Sequence, residues 1–176
     1  MQYVLEWEKG RERYKKEYDE MKTTKPERCQ NCGCVKFHKW GKYERYVIEE
    51  EGEDRICVRR IRCIKCRKTY SYLSSFCISG MCYGLEFVIK ILKALILKMK
   101  FLFGDLRRRA YEFLRRFVGS ENLFVVFLRG KGVKKFPDSR KKRMEKILIE
   151  LLEFHKKNKL SLDFFEETGQ HFFSAK

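Results

Sequence analysis

Two Cys-x-x-Cys pairs, Cys29/Cys32 and Cys63/Cys66, bracket thirty intervening residues in this chain. Each pair suits a tight knuckle that aims two sulfurs at one ion, and Gly33 directly follows the first pair. Four thiolates at about 2.3 Å in tetrahedral geometry complete a zinc coordination shell. That set leaves no position open for water, so the expected metal is one structural Zn2+ and not a catalytic one. Cys34 competes with Cys32 for the fourth place, but Cys-x-x-Cys is the commoner knuckle and Cys32 is preferred. Cys57, Cys77 and Cys82 remain. Cys77 and Cys82 have no nearby histidine to make a second pair, because His155 and His171 lie far along the chain. They read as small core hydrophobes. His38 reads as a sheet or surface residue, since four thiolates already fill the site.

The sequence between the pairs alternates as strands do. Val35, Phe37 and Lys39 begin a first strand, and residues 43–48 and 55–62 look like a hairpin pair joined by EEEGED. Gly52 stands where that turn needs a positive φ. In the second arm Ile56, Val58 and the stem of Arg60 share one face, and Cys57, Arg59 and Ile61 share the other. Residues 69–72 form a short alternating strand. A small antiparallel sheet closed by paired knuckles is a four-cysteine zinc ribbon.

The 41 Lys plus Arg against 24 Asp plus Glu give a formal charge of +17, which favours a polyanionic partner. The first twenty residues are charged and carry no apolar run, so no signal peptide is expected. The paired cysteine spacing favours metal over disulfides in a reducing compartment. A cytoplasmic, nucleoid-associated location follows. The most apolar run, residues 85–103, carries Lys90, Lys93, Lys98 and Lys100, so no membrane span is expected.

Outside the ribbon the chain reads as helical. Residues 2–22 place Trp7, Tyr14, Tyr18 and Met21 on a thin stripe that either docks on the ribbon or mediates association, including self-association. Residues 23–26 end that helix before Pro26. Residues 85–99 and 105–118 read as two helices around a break, with Asp105 as N-cap. The second helix buries Leu106, Ala110, Phe113, Leu114 and Phe117 and leaves Arg107, Arg108, Arg109, Arg115 and Arg116 outward. This fits a helix-turn-helix whose second helix enters the major groove. A mostly apolar helix, 121–128, is expected to be buried. Residues 129–137 (RGKGVKKFP) read as a linker. A helix from Asp138 or Ser139 to about 157 crowds Arg140, Lys141, Lys142 and Arg143 into its first turn, which calls for an anionic partner or a tolerated cost. A short last helix runs from Ser161 to near Gly169. The expected division is therefore 1–26, an N-terminal helix; 27–78, the ribbon; 79–129, the helix-turn-helix-like domain; and 130–176, linker and C-terminal helices. Arg59, Arg60, Arg62, Lys65, Arg67 and Lys68 make a second basic surface on the ribbon.

Paired catalytic carboxylates, a Walker loop and GxGxxG are all missing from the sequence. Asp105, Asp138 and Asp163 sit at helix caps or first turns, and Glu145, Glu150 and Glu153 on a charged helix face. No enzymatic activity is expected. The stretch CQNCG…KWGKYER…RRIRCIKCRKTYSYLSSF, followed by YGLEFVIKIL and Arg115-Arg116-Phe117, resembles the N-terminal zinc ribbons of bacterial insertion-sequence transposases. It is similar to small zinc-ribbon and helix-turn-helix proteins of Firmicutes mobile elements, over roughly residues 27–129. The resemblance implies that Cys29, Cys32, Cys63 and Cys66 bind zinc and that the ribbon and helices recognise element DNA. Such systems cut with an integrase-type domain, and none follows here, which shifts the expectation to an accessory or regulatory factor. The fold class expected is α+β: a four-cysteine zinc ribbon with an N-terminal helix and an all-α helix-turn-helix region. The expected partner is double-stranded DNA, together with a transposase or another nucleic-acid-processing protein. Two alternatives are a protein-interaction subunit of a larger nucleic-acid machine, and an RNA-binding module using Phe37, Trp40, Tyr43, Tyr46, Tyr70 and Tyr72.

Overall fold

The computed structural model describes residues 2–5, 10–20, 26–97, 106–157, 160–170 and 173. Among the described residues, four strands and six helices follow in the order β1 (Gln2–Leu5), α1 (Gly10–Glu17), β2 (Phe37–Glu49), β3 (Gly52–Cys63), β4 (Thr69–Ser74), α2 (Leu85–Ile96), α3 (Arg107–Gly119), α4 (Glu121–Gly130), α5 (Arg140–Lys157) and α6 (Leu160–Thr168). The fold is mixed α+β, with one four-stranded sheet in the order β1-β4-β3-β2.

The hairpin β2–β3 closes at Glu49↔Gly52, and Gly52 takes φ 137°, a conformation open to glycine and poorly accessible to other residues. The two strand pieces expected before Ile48 are one continuous strand. The register slips between Lys39↔Ile61 and Lys42↔Arg59, so β2 carries one extra residue at Trp40–Gly41, with Gly41 at φ 82°. A bulge with glycine in the left-handed region absorbs that residue.

Burial along β3 changes sides. Ile56 and Val58 are buried on the first face, and Ile61 and Cys63 on the second. Each face therefore carries a small core. One joins Tyr14, Tyr18, Val47, Ile56, Val58, Leu73 and Cys77. The other joins Cys29, Phe37, Ile61, Cys63, Tyr70 and Tyr72.

The N-terminal segment departs from the expected single helix. Residues 2–5 form an edge strand parallel to β4, in the register Gln2↔Ser71 to Leu5↔Ser74. Tyr3 and Val4 are good strand formers, and pairing with β4 sets the Tyr3 ring 5.4 Å from Tyr70 and 6.0 Å from Tyr72. Only Gly10–Glu17 is helical. A helix this short is marginal alone, and β3 holds it. The Tyr14 hydroxyl donates to the Cys57 carbonyl at 2.8 Å. Arg11 pairs with Glu49 at 3.0 Å and Asp54 at 3.3 Å. Tyr14 and Tyr18 are buried as expected of the stripe; Trp7, Met21 and the break at 23–25 lie outside the described residues.

Helices α2 to α6 share one core, in which Phe113, Phe117, Phe124, Phe127 and Phe164 meet Leu85, Val88, Ile91 and Leu92 of α2. The segment 131–139 runs between helices of this same core, and Val133 and Phe136 pack against it. α4 is buried on one side only: Phe124, Phe127 and Leu128 point inward while Val126 stays 64% exposed. The anionic partner of the basic start of α5 is internal. Glu121 at the start of α4 accepts from Arg140 at 3.0 Å and Arg143 at 2.5 Å. Burial works against the Glu121 carboxylate, but Arg143 and Arg140 outweigh it and lower its pKa. Among the described residues no helix is long and apolar enough to cross a membrane.

Candidate metal centre and basic surfaces

The four sulfurs of Cys29, Cys32, Cys63 and Cys66 converge, with every ligand atom within 4.8 Å of the others. Cys29 Sγ lies 3.5 Å from Cys66 Sγ, and Cys32 Sγ lies 3.6 Å from Cys63 Sγ. A disulfide would need about 2.05 Å. A tetrahedral ion with sulfur at about 2.3 Å places its ligands about 3.8 Å apart, so the spacing suits one ion and no covalent bond. The cluster is compatible with one structural metal.

Two copies of one backbone device build it. In the first knuckle Gly33 N–H donates to the Cys29 carbonyl at 2.8 Å, and Cys29 N–H to the Cys34 carbonyl at 2.8 Å. In the second, Arg67 N–H donates to the Cys63 carbonyl and Cys63 N–H to the Lys68 carbonyl, both at 3.0 Å. The offsets are identical. So are the bonds to sulfur: Asn31 and Cys32 N–H groups serve Cys29 as Lys65 and Cys66 N–H groups serve Cys63. Cys34 N–H serves Cys32 as Lys68 N–H serves Cys66. Backbone donors aimed at sulfur favour thiolates and orient them, as outer-shell partners of a metal do. The residue after each pair must turn left-handed, at φ 70° for Gly33 and 58° for Arg67. Glycine accepts that conformation freely, and arginine at a cost of about 1–2 kcal/mol.

Cys34 stays outside the cluster. Its sulfur accepts the Lys36 N–H at 3.5 Å. Cys77 is buried, Cys82 is exposed, and no other group of metal-ligating residues forms among the described residues. His38 meets the Trp40 ring at 5.5 Å and stands outside the cysteine cluster. Sequence reasoning missed Tyr70, which is fully buried with its hydroxyl 3.0 Å from Cys29 Sγ. Its alternation in β4 was readable, but its partner was not.

The sulfurs titrate unequally. At Cys29 burial pushes the thiol up, but the Tyr70 hydroxyl and the Asn31 and Cys32 N–H groups win and bring it down to about 6. At Cys63 the Cys66 N–H favours the thiolate, yet burial and the Cys32 and Cys29 sulfurs push the thiol up to about 12. Cys32 is also raised, against the Cys34 N–H, by burial and by Cys66 and Cys29. Four sulfurs this close cannot all ionise without a cation. At pH 7 the metal-free protein therefore retains protons on Cys32 and Cys63, and metal uptake releases protons. Proton release in weakly buffered titrations checks this, and metal affinity should fall as pH falls.

Comparison with known proteins finds no family model that matches this chain, and no curated protein or solved structure similar to it.

The basic residues sort by what they touch. On α3, Arg107, Arg108, Arg109 and Arg115 are exposed and Arg116 is half-buried. Glu112 takes Arg109 at 3.1 Å and Arg116 at 2.9 Å. Arg107, Arg108 and Arg115 have no acidic partner among the described residues. The α2–α3 connection, including Asp105, lies largely outside the described residues, so the turn of the expected helix-turn-helix does too. On the sheet, Arg59 donates to the Asp19 carbonyl at 3.0 Å and to the Tyr18 carbonyl, capping the end of α1. Arg60 lies over Tyr43, and Arg62 over Trp40 at 4.1 Å. Arg62 also donates to the Arg67 carbonyl at 2.9 Å, tying β3 to the second knuckle. Lys65, Arg67 and Lys68 are exposed on that knuckle. Of the expected ribbon aromatics, Phe37, Tyr70 and Tyr72 are core, Tyr43 is half-buried, and Trp40 and Tyr46 are exposed.

Proposed function

We propose that this chain is a zinc-stabilised, double-stranded-DNA-binding protein without catalytic activity, acting as an accessory or regulatory factor of a mobile element. The sheet with its four-cysteine cluster is its zinc ribbon, and α2–α3 serve as the helix-turn-helix. Tetrahedral sulfur sites take zinc or iron, and the expected zinc is tested by metal content. The observation that carries the DNA reading is the first turn of α3. Arg107 and Arg108 stand there exposed and without a carboxylate partner among the described residues, while Arg109 and Arg116 share Glu112. Unpaired arginines at a helix start are placed to meet guanine edges and phosphates.

Binding of zinc-loaded protein to native flanking DNA, measured across salt concentrations, tests this. Each phosphate contact contributes about −0.9 to the slope of log affinity against log salt. Arg108→Ala should lose discrimination between sites, by about 1–3 kcal/mol for one bidentate contact. Lys68→Ala should weaken all sites alike. A salt-insensitive interaction would sink the proposal. A second reading, docking on a larger nucleic-acid machine, is favoured by Tyr111, Val126 and Ile149, which are 54%, 64% and 47% exposed on α3, α4 and α5. Under that reading the isolated protein binds DNA weakly and pull-downs return a stoichiometric partner.

A further inference from the structure

The sheet is electrically divided along its length. Residues 28–43 and 55–84 contain no Asp or Glu, yet hold four and seven Lys or Arg residues respectively. The six acidic residues of the hairpin all fall within 44–54, at the turn end. An ion held by four thiolates carries about −2 net charge, which accounts for only a small part of this excess. The knuckle end is cationic beyond what its own metal needs.

Aromatic rings stand within that cationic end. His38↔Arg62 are cross-strand partners, as are Arg60↔Ser71 and Arg62↔Thr69, so these side chains share one face of the sheet. On it the Arg62 guanidinium lies 4.1 Å from the Trp40 ring centre and the His38 ring meets it at 5.5 Å. Arg60 covers Tyr43 at 5.5 Å. Trp40 is thus held in place by its neighbours while remaining 43% exposed. This is where the face differs from a buried core: Ile56 and Val58, further along β3, are covered completely.

We infer that the Trp40 face is a stacking subsite for an unpaired segment of DNA, resting on the reading of this chain as a DNA-binding protein. Bases in a duplex offer only their edges, because their faces are stacked on one another. An exposed indole beside guanidinium groups therefore selects an unpaired base, with the arginines and knuckle lysines meeting its phosphates. Every base has a stackable face, so the subsite should tolerate sequence.

The test uses zinc-loaded Trp7→Phe protein, in which Trp40 is the one remaining tryptophan of two. It is titrated with oligothymidylate about 15 nucleotides long, with a duplex of equal length, and with the matching oligouridylate. Oligothymidylate should quench Trp40 fluorescence. Trp40→Ala should weaken single-strand binding about tenfold while duplex affinity stays within about twofold. Trp40→Phe, which keeps a ring, should recover most of the loss and shows that the site is folded. Unchanged single-strand affinity in Trp40→Ala, a silent Trp40 at saturation, or tighter binding of the RNA would overturn the inference. Loss of duplex binding alone, with the Trp40 response intact, would instead sink the duplex reading and support this one.

Discussion

Chelation of the metal is expected to unfold the sheet and leave the helical core folded. The sheet's apolar content is divided between two small clusters on opposite faces, one of which is built on Cys29 and Cys63 themselves. Structural zinc contributes about 10–16 kcal/mol of apparent binding free energy in zinc-finger peptides, and a metal held by this cluster would add a term comparable with the roughly 5–15 kcal/mol that holds a whole domain. Without the ion, the four sulfurs repel or take up protons, and the two knuckles are left with only the end of the β2–β3 pairing and one small core to hold them together. Helices α2–α6 draw on a separate core rich in phenylalanine. Hydrogen exchange before and after chelation should show protection lost across β2, β3 and β4 and kept in α2 and α5. Cys63→Ser should do the same without a chelator. Retained protection in the metal-free sheet would overturn the structural role given to the cluster.

Phe124→Ala is expected to do the reverse. Phe124 is fully buried, with Phe117 at 5.1 Å, Phe164 at 5.5 Å and Phe173 at 6.0 Å. Removing a ring from such a site costs about 3–5 kcal/mol, because the neighbours cannot close the cavity. For a chain of this size that lowers Tm by about 10 °C. Metal content per chain should stay unchanged, since these rings and the knuckle cysteines belong to different core clusters. Val126→Ala, on the exposed side of the same helix, should stay within about 0.5 kcal/mol of the parent. A shared transition, with metal lost as Phe124→Ala melts, would show that the two cores are not energetically separate.

Much of this was legible in the sequence for a physical reason. Cys-x-x-Cys fixes two sulfurs on one short turn, so local spacing alone selected Cys32 over Cys34. The Arg107–Phe117 stripe was equally local: 3.6-residue periodicity placed Ala110, Phe113 and Phe117 inward without knowledge of what they meet. What escaped depended on distant partners. Gln2–Leu5 is a strand because β4 offers an edge, and no local signal states that an edge exists. Tyr70 reaches Cys29 across 41 residues. Arg59 reads as one more surface charge until α1 brings its carbonyls within reach. Glu121 reads as an ordinary first-turn acid until Arg140 and Arg143 fold back onto it.

The length of the hairpin has its own consequence. β3 spans 12 residues between the turn and the knuckle, and at about 3.3 Å per residue that is about 35 Å. The Debye length at physiological salt is about 8 Å. The turn acids therefore lie several screening lengths from the cluster and exert almost no field there. Their neutralisation is local as well: Lys15 meets Asp54 at 2.5 Å, and Lys90 meets Glu50. A counter-ion or strand approaching the knuckles thus experiences their positive charge undiminished by the carboxylates that share the same two strands.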